Sequence, residues 1–386
     1  MRYSLLNYIV CPETGAELVC VVTREKPAPI GHVMLSGCSR VNGPGMLVGP
    51  LPASASHTPV TAVLSPHVSP AADPARNYEV RIQEGLLIAT DTGRWYPIKE
   101  FIPEMLPDHL RNFDRDFEFL ASLQPHLPPP VFNVLNNRAV FSNASKANQD
   151  AGLSHKQAEM SMVERVADQP GFFGPGYISP FNPHVPDHTI FLIRMFGFCM
   201  PLFFNGQRRV ILDSGCGYSW TTEWMLRMGF EPIGVEISRV YLDIANTRVG
   251  DLLPYVLVGD AEKLPIRDSV LDGVLGFDAF HHIANRKGAM REFYRTMKPG
   301  AVIVLAEPGS AHEHVPSVKE IMKKLGTLEI GMELSDVQEY VRGSGLKPPL
   351  QHHILRVPHS DVNGKLSPKF LQQYSFNPAN LFTIEK

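Results

Sequence analysis

Val210-Ile211-Leu212-Asp213-Ser214-Gly215-Cys216-Gly217-Tyr218-Ser219 is the stretch that decides the fold. Three apolar residues, two of them β-branched, form a short strand that ends in an acid. Two glycines then turn the chain sharply; glycine permits positive φ and a close approach of the backbone to a ligand. A helical pattern follows from Thr221 to Met228 and stops at Gly229.

The alternation continues downstream. Strand-like runs at Pro232–Val235, Tyr255–Val258, Leu271–Gly276 and Ala301–Leu305 are separated by helical patterns at Val240–Thr247 and Ala289–Met297. Strands alternating with helices predict an α/β fold: an open, mostly parallel, Rossmann-like sheet with helices on both faces. Ligands in such sheets lie at the carboxyl ends of the strands. Acids sit at those ends. Glu236 follows the second strand, 21 residues after Gly215 (236 − 215), placed to accept the hydroxyl protons of a ribose. Gly259-Asp260-Ala261 follows the third strand and can read an adenine edge, and Phe277 after the fourth offers an apolar face to it.

The series LDSGCGYS, GVEIS, VGDAEKLPIRDSVLDGV, FDAFHHI and MKPGAVIVLAEP resembles the class I S-adenosylmethionine-dependent methyltransferases across about residues 195–310. The resemblance implies S-adenosylmethionine as cofactor. It assigns Asp213, Gly215 and Gly217 to the methionine moiety, Glu236 to the ribose, and Asp260 and Ala261 to the adenine, and Cys216, Tyr218, Ile237 and Phe277 are further candidate cofactor-binding residues. Ser219 stands where the family often has a third glycine. A nicotinamide dinucleotide fits less well, because its fingerprint needs a glycine where this chain has Trp220.

Methyl transfer needs an aligned nucleophile and a group to take its proton. His281 and His282, after the fourth strand, and Glu307, at the end of the fifth, are the candidate catalytic residues. Each has a structural alternative: a histidine bonded to a loop carbonyl, or a solvated or capping carboxylate. His312 and His314 follow, but His-Glu-His lacks a third placed ligand, so no metal is expected. The aromatic, Pro-rich stretch 172–188 offers Phe173, Tyr177, Phe181 and His184 as a substrate lid, with plain loop packing as the alternative.

Composition sets limits on the rest. The 386 residues allow two or three domains, and a net charge of −3 gives no reason to expect non-specific nucleic-acid or anionic-membrane binding. Five irregularly spaced cysteines read as free thiols in a reducing cytoplasm. MRYSLLNYIVCPETG lacks the apolar core of a secretory leader. IFLIRMFGFCMPLFF (190–204) is too short, and too interrupted by Arg194 and Pro201, to span a bilayer.

Three zones are expected: 1–110, 111–190 as a helical linker and lid, and 191–386 as the cofactor-binding domain. In the first, Cys11-Pro12-Glu13-Thr14-Gly15 and the run Gly85–Ile98, with the tail FIPEMLPD, resemble the small zinc-ribbon-like activators of tRNA, rRNA and release-factor methyltransferases. The resemblance covers about residues 5–24 and 84–108, divided by a Pro/Gly-rich insertion at 26–76. Knuckle cysteines are missing at Thr14, Ala89 and Thr92, so a zinc-free ribbon packed around Trp95 and Tyr96 is expected. Its expected job is to brace the catalytic domain or wall its pocket.

The ribbon raises methylation of RNA or protein as an alternative to a small-molecule acceptor; a non-catalytic cofactor-binding subunit is a third reading. Amino-group enzymes of RNA and protein commonly carry Asn/Asp-Pro-Pro-aromatic after the fourth strand, where this chain has Phe277-Asp278-Ala279-Phe280. That difference and the mildly acidic charge favour a small molecule. Oligomeric state is not legible in the sequence.

Overall fold

The computed structural model describes residues 1–27, 46–48, 63–64, 68–69, 80–141, 152–166, 178–183, 186–204, 209–250, 255–355 and 375–386. Most of the insertion at 26–76 lies outside them, as do Phe173, Tyr177 and His184 of the expected lid.

The N-terminal part is a six-stranded sheet. Its strands are β1 (Leu18–Pro27), β2 (Met46–Val48), β3 (Val68–Ser69), β4 (Val80–Ala89), β5 (Trp95–Lys99) and β6 (Ile102–Pro103). They lie in the order β3-β2-β1-β4-β5-β6. β1 and β4 form a long antiparallel pair, Leu18 opposite Ala89, whose two faces are both buried. One face packs under helices α1 (Phe113–Ser122) and α2 (Pro129–Leu135) through Val19, Val21, Leu86, Ile88, Trp95, Phe117 and Leu120. The segment after residue 110 therefore closes the N-terminal core rather than merely linking two bodies. Asn112 caps α1 by accepting the Arg115 N–H at 3.2 Å.

The second sheet has seven strands: β7 (Val210–Ser214), β8 (Glu231–Glu236), β9 (Tyr255–Val258), β10 (Leu271–Phe277), β11 (Met297–Pro308), β12 (Leu350–Leu355) and β13 (Ser375–Glu385). Their order is β12-β13-β11-β10-β7-β8-β9. β7 to β11 are parallel to their neighbours, and β13 runs antiparallel between β11 and β12. β7 and β8 are buried along their whole length, which is why their sequences are almost continuously apolar. The five expected strands are all present; β12 and β13 complete the sheet.

Helix α3 (Leu153–Val166) lies over the carboxyl ends of the strands, and α4 (Pro186–Phe203) follows it. Met195, Phe196, Cys199, Met200 and Phe203 of α4 are buried against the sheet. The apolar run at 190–204 is thus one side of a core helix, and among the described residues no helix is long and apolar enough to cross a membrane.

The two sheets share one core, in which Leu5, Ile9, Leu18, Val22 and Ile82 pack with Leu257, Leu264, Ile266 and Leu271. Polar contacts reinforce it. Met105 donates its N–H to Val258 O at 2.7 Å beside a parallel bridge from Glu104 to Val258, so the chain after β6 extends the edge of β9. Arg267 N–H reaches Tyr8 O at 2.8 Å, and the Arg267 guanidinium pairs with Glu17.

Trp95 has no exposure, meets Phe117 edge-on at 5.4 Å and donates its indole N–H to Leu135 O at 2.9 Å. Trp95→Ala is expected to cost about 3–5 kcal/mol, read as a lowered midpoint in urea denaturation. A loss under about 1 kcal/mol would mean that the ribbon does not share the cooperative core.

Candidate active site

β7 delivers the chain into a tight turn. Gly215 has φ 75°, and a Cβ there would lie 2.6 Å from Ala279 Cβ. Gly217 has φ 48°, and a Cβ there would meet nothing within 4 Å. Ser219, the residue standing where a third glycine was expected, has φ 58° and is fully buried, its hydroxyl directed at Cys216 Sγ. A left-handed serine costs of order 1–2 kcal/mol, so the turn keeps the glycine-type path in spite of the substitution.

Beyond the turn lies a cavity of about 410 Å³. Gly215, Cys216, Gly217, Tyr218, Glu236, Ile237, Asp260, Ala261 and Phe277 line it, so nine of the ten expected cofactor residues meet at one surface. Asp213 is not among the lining residues. It is 1% exposed, and one of its oxygens accepts the Thr221 and Thr222 hydroxyls at 2.6 Å each. Burial raises its pKa to about 6 against the pull of those two bonds. Its place is at the start of α5 (Trp220–Arg227), where it ties the helix to the strand end. Trp220, also on the cavity wall, packs against Phe196, Phe277 and Trp224.

Glu236 is buried at the end of β8 and accepts the Gly217 N–H and the Ser238 N–H at 2.9 Å each. Burial pushes its pKa up to about 7, against those two bonds. Each carboxylate oxygen keeps a second lone pair for a ligand hydroxyl. Asp260 accepts the Glu262 N–H at 2.9 Å and the Lys156 ammonium at 2.8 Å. Lys156 also meets Glu262 at 2.6 Å. The lysine comes from α3, more than fifty residues before the glycine turn, and its neighbour on the same helix face, Glu159, lines the cavity as well.

The other side of the cavity carries the histidines. The short turn Phe280–His282 follows β10. Glu307, with no solvent exposure, accepts the backbone N–H groups of Ala279, Phe280 and His281 at 2.9–3.3 Å and sits 2.7 Å from His281 Nδ1. Neither Glu307 nor His281 is among the cavity-lining residues, whereas His282 is. As an expected proton acceptor Glu307 is therefore misplaced: its lone pairs are spent on the loop. His281 Nε2 lies 3.4 Å from Glu329. Burial alone would lower the His281 pKa, but the Glu307 hydrogen bond, with Glu329 behind it, raises it to about 10. Glu329 is held down to about 2, the His281 hydrogen bond overriding the upward push of burial. His282 Nδ1 is 3.2 Å from Glu159 and 3.9 Å from Glu329, and His312 Nε2 is 3.1 Å from Glu329.

Of the expected lid, only Phe181 is described. It is 54% exposed, packs on Trp224 at 6.4 Å between centroids, and is absent from the cavity wall.

In the N-terminal sheet, Cys11 Sγ lies 3.2 Å from the Tyr96 hydroxyl, and Arg94 pairs with Asp108 at 3.0 Å. Glu13 bridges the Asp108 N–H at 2.9 Å and the Lys263 ammonium at 2.5 Å.

A parallel sheet in this order, with a glycine turn after its first strand and carboxylates after the second and third, defines a class I methyltransferase domain. Residues 212–305 match the family described as Methyltransferase domain, and residues 2–100 match the family described as Trm112p-like protein. The chain carries a domain of each. Among relatives, the methyltransferase GfsG of Streptomyces halstedii is 27% identical over 163 residues, covering 35% of this chain and 58% of that protein. The ubiquinone biosynthesis O-methyltransferase of Mesorhizobium japonicum is 26% identical over 132 residues, covering 34% and 48%. A tRNA (carboxymethyluridine(34)-5-O)-methyltransferase of Arabidopsis thaliana is 32% identical over 103 residues, covering 25% and 23%. The chain spans about half the length, or less, of these relatives. A solved complex of the Haloferax volcanii Trm112 methyltransferase activator with a methyltransferase is 18% identical, covering 55% of this chain and 97% of that one, at a TM-score of 0.41.

Gly215→Ala places a methyl group against Ala279 at a backbone angle that alanine rarely adopts. It is expected to weaken binding of S-adenosylhomocysteine by at least about tenfold, the equivalent of 1.4 kcal/mol. Ser219→Gly is expected to preserve binding. Calorimetry on the two variants checks the pair, and unchanged affinity in Gly215→Ala would mean that the turn is not the ligand's cradle.

Proposed function

We propose that the chain is an S-adenosylmethionine-dependent methyltransferase acting on a small-molecule acceptor. The observation that carries this reading is the convergence of the glycine turn, Glu236 and Asp260 on one cavity. The donor set fits the cofactor. Gly217 leaves open space at the turn, the Glu236 carboxylate can take the two ribose hydroxyls, and Asp260 with the Ala261 backbone can read the adenine edge beside Phe277. Bound there, S-adenosylmethionine supplies a methyl carbon on a positively charged sulfur.

The protein's own work is then to hold the acceptor and to accept its proton. His282 and Glu159 are the groups in reach on the facing wall; His281 and Glu307 position the loop that carries His282. The cavity size and apolar wall of Trp220, Leu192 and Phe277 suit a small organic acceptor rather than a polymer. The O-methyltransferase relative supports that class. The Trm112p-like domain and the tRNA-methyltransferase relative favour RNA as the second reading.

Incubation of the protein with S-adenosylmethionine and either a small-metabolite pool or total RNA separates the two. Release of S-adenosylhomocysteine with metabolites is expected; release with RNA alone would replace the proposal by the second reading. Absence of any binding of the cofactor or its demethylated product would defeat both.

Glu236 makes the binding pH-dependent. Its pKa in the free protein is raised, so its protonated form favours the unliganded fold below about pH 7 and that contribution is lost as pH rises through 7. A ligand that donates hydroxyl protons prefers the ionised form, so affinity follows the opposite sign. Between pH 8 and pH 6 the ionised fraction falls about tenfold, and the dissociation constant for S-adenosylhomocysteine is expected to rise by that factor. A flat profile across this window would place the ribose contact elsewhere.

A further inference from the structure

We propose that His281, His282 and Glu329 form a divalent transition-metal site on the acceptor wall of the cavity, with His312 backing Glu329. The inference rests on the methyltransferase reading only for the ion's purpose, not for its binding.

The ligand atoms of His281, His282 and Glu329 lie within 4.8 Å of one another. Two ligands each about 2.1 Å from a shared ion stand at most about 4.2 Å apart, so a small shift of the His282 ring or the Glu329 side chain toward the anchored His281 completes the approach. The rings of His281 and His282 are tilted by 38° with centroids 4.0 Å apart, and His312 meets His281 edge-on at 5.3 Å. All three histidines turn a ring nitrogen toward the Glu329 carboxylate.

The surroundings have the form of a metal site's outer shell. Metal-binding histidines commonly donate their second ring nitrogen to a carboxylate, which fixes the tautomer and aims the free nitrogen at the ion. Glu307 does this for His281, taking Nδ1 at 2.7 Å and leaving Nε2 directed at Glu329. Glu307 is itself anchored by three backbone N–H groups, so the ring cannot swing. Two imidazoles with one carboxylate favour iron, nickel or zinc over magnesium or calcium, and manganese serves as a paramagnetic probe of the same positions.

Three protein ligands leave coordination positions open, the arrangement of a catalytic rather than a structural site. His282 and Glu329 both line the cavity, so the open positions face the space where an acceptor would sit. An ion there takes a hydroxyl oxygen of the acceptor and lowers its pKa. The hydroxyl proton passes to the Glu159 carboxylate, which also lines the cavity. The acceptor oxygen forms its bond to the methyl carbon as the carbon–sulfur bond breaks, and that electron pair stays on sulfur. The acceptor class is therefore a hydroxyl-bearing small molecule.

The test begins with chelator-treated full-length protein, first titrated with S-adenosylhomocysteine and then with manganese and zinc. One ion per chain is expected, with a rise in thermal midpoint on metal addition. Glu329→Gln, checked for folding by its S-adenosylhomocysteine affinity, is expected to bind manganese at least about 100-fold more weakly and to lose the midpoint rise. Pulsed EPR of manganese on the unaltered protein reports ligand nitrogens directly and needs no variant; couplings from two imidazoles are expected. Intact S-adenosylhomocysteine binding without metal binding, or manganese lacking imidazole couplings, overturns the site while leaving the methyltransferase reading in place. Failure of S-adenosylhomocysteine to bind strikes the methyltransferase reading alone.

Discussion

Glu307 is sealed from solvent, yet it stands at the end of β11 beside the busiest loop of the protein. A carboxylate in that position is tolerable only if its oxygens are satisfied, since an uncompensated buried charge costs several kcal/mol. Ala279, Phe280 and His281 provide their backbone N–H groups, and His281 adds its ring. One side chain therefore fixes the path of the whole segment after β10. The consequence reaches the neighbouring strand, because Ala279 is the residue against which Gly215 packs without a side chain. The donor turn after β7 and the histidine turn after β10 are thus held at a fixed spacing by one buried acid.

The sheet has a second constraint at its opposite edge. β9 would present unpaired backbone groups as the terminal strand, and exposed edges invite pairing with other chains. The chain after β6 covers it through the Glu104–Val258 bridge and the Met105 N–H. Arg239 then ties the start of α6 (Arg239–Val249) to the same segment, reaching Glu104 at 2.7 Å and Lys99 O at 3.0 Å. The Trm112p-like domain accordingly supports the strand whose end carries Asp260. Its own stability comes from apolar packing around Trp95 and Tyr96 and from the Arg94–Asp108–Glu13–Lys263 chain of contacts, so bracing and folding are one set of interactions.

The sequence makes the donor half legible because that half is local. Val210–Leu212, Pro232–Val235 and Leu271–Gly276 are buried on both faces and show it as apolar, β-branched runs, and the carboxylates stand at strand ends, Glu236 as the last residue of β8 and Asp260 two residues beyond β9. Asp213 was legible as a site residue but not in its actual bonds, since only the fold reveals Thr221 and Thr222 turned back toward it. β13 was missed because SFNPANLFTIE carries a proline at its fourth position between two asparagines and shows no clean alternation. Lys156, Glu159 and Glu329 were missed for a different reason. Each reaches the cavity by long-range packing, from a weakly amphipathic helix or an irregular segment, and no spacing rule links them to the glycine turn. His312 likewise gains its partner in Glu329 and its neighbour in His281 only once the chain is folded.

This division between local and distant residues bears on specificity. The donor side is built from backbone turns and strand ends within residues 212–305, the stretch that matches the methyltransferase family. Of the acceptor side, His282 and the apolar Trp220 and Phe277 fall in that stretch. Glu159 arrives on the helix before the sheet, and Glu307, His312 and Glu329 come after residue 305. Relatives aligned on the shared stretch can therefore keep the same methyl donor while presenting a different facing wall. His281 is held by Glu307, itself bonded to three backbone N–H groups, which fixes the loop carrying His282 before any acceptor arrives. Pre-set direction is what proximity catalysis requires, since the gain from alignment is lost when the groups must first be ordered. On the proposed reading, Glu159 and Glu329 carry selection of the acceptor from outside the stretch that builds the donor side, whereas Lys156 of the same helix as Glu159 pairs with Asp260 and belongs to that donor side.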